Sequence, residues 1–165
     1  MDTATTITAI IIILICIIPF ILINRHSRNK EKPFLEALSG LAQKNNYTVS
    51  QHDIWSNTAI GIDEAANIVF FTKKVKDIQM GQQLALAEIK KCRVMITNSI
   101  ASNKEDSNFK EVDTLCLAFT HKEKSNEEIV LEFYNADINR SGLTGELQLA
   151  ERWCKIANDK IKTIG

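Results

Sequence analysis

The chain has 165 residues, 20 basic and 20 acidic side chains, and a formal net charge of zero. Without a basic surplus there is no stripe for a phosphate backbone, so nucleic acid is not expected as a partner. Four scattered cysteines, Cys16, Cys92, Cys116 and Cys154, form no C-x-x-C pair and have no histidine at ligand spacing, and they read as reduced thiols.

Ten isoleucines fall within the 17 positions of Ile7–Ile23, and no charge interrupts them. Wound as a helix, this stretch is about 26 Å long, close to the hydrocarbon thickness of a bilayer. Its candidate anchor residues are Ile7, Ile10, Ile13, Leu14, Ile17, Phe20, Ile21 and Ile23. The start carries Asp2 and no cation, and the run ends in Leu22-Ile23-Asn24-Arg25, so a cleaved leader is set aside. Arg25, Arg28, Lys30 and Lys32 follow as a basic juxtamembrane cluster, and such cations remain on the cytoplasmic side. The expectation is a transmembrane anchor over 1–24 and a basic flank over 25–32. It makes the chain a single-pass protein of the inner (plasma) membrane, with its N-terminus outside, the remainder in the cytosol and the lipid bilayer as one partner.

A short connecting helix is expected over 33–46. Pro33 suits its first position, Phe34, Leu35, Leu38, Leu41 and Ala42 share a face, and Asn45-Asn46 stops it. The period then changes. Tyr47–Trp55 and Thr58–Asp63 read as strands joined near Ser56-Asn57, and Asn67–Lys74 reads as a third strand after a turn. Lys74–Gln83 is polar and receives no element. Leu84–Asn98 alternates as a strand, with a bend or break expected near Lys90-Lys91. Ser99–Glu111 reads as a polar loop, and Val112–His121 with Glu127–Tyr134 as a further hairpin. Thr144–Lys162 has helical spacing: Leu147, Ala150, Cys154, Ala157 and Ile161 line one face, widened by Leu149, Trp153 and Ile156.

The expected class is α+β. A transmembrane helix and a short helix precede a strongly bent antiparallel sheet or partial barrel of about seven strands, closed by the C-terminal amphipathic helix. The segments "IGID-x4-IVFF", "LAEIKKCRVMI", "CLAFTHK" and "EEIVLEFYNAD", with the terminal helix and its Trp153, resemble pleckstrin-homology-like domains of the small membrane-anchored bacterial type. The resemblance covers roughly 47–162, within a domain drawn over 47–165. It implies a binding or scaffolding module. Many such domains hold phosphoinositides through cations in the first hairpin, whereas Gln51, His52, Asp53, Ser56 and Asn57 stand there, so specific phosphoinositide binding is not expected.

No catalytic, cofactor-binding or metal-ligating residue is assigned, and no cofactor is expected. His26 flanks the apolar run, and His52 and His121 fall near strand ends, where they read as exposed or hydrogen-bonded structural histidines; Asp63-Glu64 fits a hairpin turn, and no glycine-rich phosphate loop occurs. Lys73, Lys74 and Lys76, and Lys90, Lys91 and Arg93, read as solvated faces. Trp153 belongs to the core by its spacing, while Trp55 is a candidate partner-binding anchor. The functional expectation is a non-enzymatic module that positions a protein or peptide partner at the membrane. The alternative is a membrane-tethered enzyme or small-ligand binder with a site in the barrel mouth.

Overall fold

The computed structural model describes residues 31–98, 112–123, 127–139 and 142–164. Helix α1 is described over 31–43. Seven strands follow: β1 (Gln51–Trp55), β2 (Thr58–Asp63), β3 (Ile68–Val75), β4 (Ile78–Ala85), β5 (Ile89–Asn98), β6 (Val112–His121) and β7 (Glu128–Asn135). A 3-10 turn, Leu86–Glu88, separates β4 from β5, and helix α2 (Glu146–Ile164) is the last described element.

All strand pairs are antiparallel between sequence neighbours. They form a four-stranded sheet, β1-β2-β3-β4, and a three-stranded sheet, β5-β6-β7. The expected bent sheet or partial barrel is corrected on this point: the strands make two separate, unclosed sheets. The reason is local. The Leu86–Glu88 turn interrupts the ladder between β4 and β5, and side chains rather than backbone fill the seam elsewhere.

The expected membrane helix is also corrected. No helix among the described residues is long and apolar enough to cross a membrane. Helices α1 and α2 each have a charged face, with Lys32 and Glu36 exposed on one and Glu151 and Lys155 on the other, as befits helices lying on protein. The eight anchor residues from Ile7 to Ile23, with Arg25, Arg28 and Lys30, lie outside the described residues. Lys32 is an exposed residue of α1. The single-pass description and the inner-membrane location with a cytosolic domain are withdrawn accordingly.

The main core lies between the sheets and under α2. Ile60, Ile62, Val69, Phe71 and Leu84 meet Leu115, Leu117, Phe119, Leu131 and Phe133, and Ala150, Trp153, Ala157 and Ile161 of α2 cover them. Each fully buried large side chain here contributes about 1.5–3 kcal/mol through area removed from water. A second cluster covers the other face of the four-stranded sheet, where Phe34, Leu38 and Ala42 of α1 lie on Ala59, Ile68 and Phe70. Small residues admit the helix. A Cβ on Gly81 would stand 2.6 Å from Leu41 Cδ1. Because both faces are covered, every residue of β2 is buried.

Candidate functional site

An exposed strand edge is a row of unpaired backbone donors and acceptors, and folded proteins blunt such edges with charge, bulges or covering elements. Three of the four edges of the described sheets are blunted along part of their length. Along β5, Asn158 of α2 accepts the Cys92 N–H at 3.0 Å and donates to the Cys92 carbonyl at 2.9 Å. Along β1, the inward-pointing Asp53 takes Arg152 at 2.6 Å and the Trp153 indole N–H at 2.8 Å. Edge strand β7 carries Glu128 and Glu132 and has a register shift opposite Leu115/Cys116. That shift leaves the Phe133 carbonyl to accept the Trp55 indole N–H at 2.9 Å.

Strand β4 differs. Its sequence, IQMGQQLA, has no charge and no proline, and six of its eight residues are exposed. Ile78 is 69% and Met80 52% exposed.

The pairing register sorts the side chains around this edge, because opposite residues of antiparallel strands share a face. On the inner face run the rows Val75–Ile78, Lys73–Met80 and Phe71–Gln82. On the outer face, toward α1, run Lys74–Gln79, Thr72–Gly81 and Phe70–Gln83. A cleft lies on each side. The inner one, about 190 Å³, is lined by Phe71, Lys73, Val75, Met80, Gln82, Val130 and Glu132. The outer one, about 260 Å³, is lined by Ala37, Gly40, Leu41, Lys44, Thr72, Gln79 and Gly81.

An ion pair forms one wall of the inner cleft. Lys73, buried on β3, bonds Glu132 of β7, whose second oxygen accepts Asn135 Nδ2 at 3.0 Å. The lysine charge is thus neutralised within the protein, and the rest of the cleft is chiefly apolar.

Among the described residues the interior is filled. Ala150 and Trp153 are buried, with Leu147 against them, at the place where a barrel mouth is expected. A third, polar cleft of about 460 Å³ lies between α2 and the β2–β3 turn, where Lys160 pairs with Glu64 at 3.1 Å.

The residues singled out from sequence are dispersed. Trp55 is half-buried in the seam, its ring 4.6 Å from that of Phe133 and 6.4 Å from that of Phe71. It stands in one cross-strand row with Thr58, Lys73 and Met80, so it neighbours the inner cleft without lining it. The first lysine group divides: Lys73 points inward, while Lys74 stays outside, 3.8 Å from Asp77. Lys90, Lys91 and Arg93 are exposed on β5. Arg93 bonds Glu128 at 2.8 Å, which holds that carboxyl below its usual range and raises the guanidinium. His52 is exposed, and His121 lies 3.6 Å from Glu88. Cys92, Cys116 and Cys154 are free, and burial pushes the thiols of Cys92 and Cys116 up.

The β4 edge falls where the sequence pattern predicts no element. Its signal is the period-2 spacing of Ile78, Met80 and Leu84 after the Lys76-Asp77 turn, where Lys76 has φ +51°. Polar residues between them, and the absence of a buried face before Leu84, mask it. No protein-family model, no curated protein and no solved structure matches the chain.

Proposed function

We propose that this chain is a protein-binding module that receives an extended segment of a partner alongside β4. The observation that carries the reading is the contrast among edges: β4 is long, exposed and carries no charge, while β1, β5 and β7 each carry charged side chains or a covering contact. Main-chain hydrogen bonds to a free edge supply affinity in this mode, and alternate side chains supply specificity. The filled interior supports binding at the surface over chemistry or ligand capture within a barrel mouth. The resemblance to pleckstrin-homology-like domains is part of the proposal, supported by the strand succession and the C-terminal helix α2.

A photo-crosslinking residue in place of Gln79 tests the reading in cells, with the same residue at Gln148, exposed on α2, as control. Discrete adducts are expected at Gln79 and not at Gln148. They are expected to disappear when Ile78→Lys places a charge on the edge. Equal labelling at both positions, or adducts indifferent to Ile78→Lys, would overturn it.

A further inference from the structure

The two clefts lie on opposite faces of one strand, and this restricts what can lie beside it. Successive side chains of an added strand point to opposite faces. One alternate set therefore enters the inner cleft and the other set the outer cleft. Around the inner cleft, Val75, Met80 and Val130 are apolar and Lys73 is already bonded to Glu132. The outer cleft is different. Lys44 lines it, and Lys74, 3.8 Å from Asp77, stands in the adjacent outer row opposite Gln79. Its floor is open over Gly40, where an added Cβ would meet nothing within 4 Å.

Resting on the strand-addition reading above, we infer that the accepted segment alternates aliphatic with acidic residues, the aliphatic set facing Met80 and Val130 and the acidic set facing Lys44. Charge complementarity fixes the orientation of its faces. A like-charged, lysine-bearing segment would meet Lys44 instead.

The test uses the full chain and two capped eight-residue peptides, one alternating valine with glutamate and one alternating valine with lysine. The readout is amide exchange at β4. The glutamate peptide is expected to protect β4 amides at a concentration about fivefold lower than the lysine peptide, as expected of favourable against unfavourable cross-strand charge pairs. The preference is expected to shrink in Lys44→Gln, and in Gly40→Gln, which fills the open outer cleft and suits a helix better than glycine. Equal protection by both peptides leaves the edge as a strand acceptor and overturns the acidic preference. Protection by neither overturns the edge reading as well. Concentration-dependent protection of β4 without peptide identifies a second copy of the chain as occupant and overturns the inference.

Discussion

Asn158 behaves toward Cys92 as a one-residue strand: its side-chain amide meets both the N–H and the carbonyl of that buried residue, at 3.0 and 2.9 Å. The same amide nitrogen also reaches the Cys154 carbonyl one turn earlier in α2, at 2.9 Å. Asn158→Ala leaves the buried Cys92 N–H without its acceptor, at a cost of about 1–3 kcal/mol, and leaves the Cys92 carbonyl only the weak Cys154 Sγ–H donor at 3.5 Å. The expected result is a lower urea midpoint with an unchanged slope, and faster amide exchange at Cys92 than at its neighbours. A midpoint within error of the parent would show that water or a shifted helix replaces the amide.

Lys73 and Glu132 are unequal partners. The lysine side chain is 9% exposed and that of the glutamate 34%. Removing Glu132 strands a buried cation, whereas removing Lys73 leaves a carboxylate that reaches solvent and keeps Asn135. Glu132→Ala should therefore destabilise by about 3 kcal/mol, and Lys73→Met by about 1 kcal/mol or less. Thermal or urea denaturation of both variants and their double mutant measures the asymmetry. Equal losses would contradict it.

Trp55 joins the sheets in two ways, through ring contact with Phe133 and through its N–H to the Phe133 carbonyl. Trp55→Phe keeps most of the ring and removes the donor, for an expected loss of about 1 kcal/mol. Trp55→Ala removes both and should cost clearly more. Near-ultraviolet circular dichroism separates the two, since only the alanine variant vacates the aromatic cluster.

The Asp63 carboxyl is held below its ordinary value of 3.8, chiefly by the Thr48 N–H and then by Ala66 and Ala65, against an opposing effect of burial. The distances are 2.8 Å from Thr48, 2.9 Å from Ala66 and 3.0 Å from Ala65. A carboxyl lowered on folding contributes stability that is present above its unfolded value and lost as pH falls through the folded one. Asp63→Asn should lower the urea midpoint at pH 7, because the amide nitrogen opposes a donor. The gap from the parent should narrow as pH falls below 3.8. A gap constant with pH would assign the effect to shape alone.

Strands with one buried face and clear turns are legible in the residues. Thr58–Asp63 and Val112–His121 have the expected bounds, and Trp153 is 1% exposed as its spacing requires. What fails depends on neighbours distant in sequence. Spacing groups Leu35 with the buried face of α1, yet it is 37% exposed, because Phe34, Leu38 and Ala42 meet the sheet first. Ala59 and Gly61 lie on the strand face opposite Ile60 and Ile62, and their small size makes room for packed chain on that side. The role of Trp55 depends on a carbonyl 78 residues away. The candidate site is the least legible part. Which strand ends a sheet is a property of pairing, and an exposed edge has no apolar face to announce it.

Between the two sheets, the described residues share no backbone ladder; side-chain contact, the turn through Leu86–Glu88 and helix α2, which bonds Asp53 of β1 and Cys92 of β5, hold them together. Hydrophobic adhesion weakens on cooling and under pressure. Chilling or compressing this molecule should thus part the halves along their oily joint before either ladder frays, and the fluorescence of Trp55 is placed to report it.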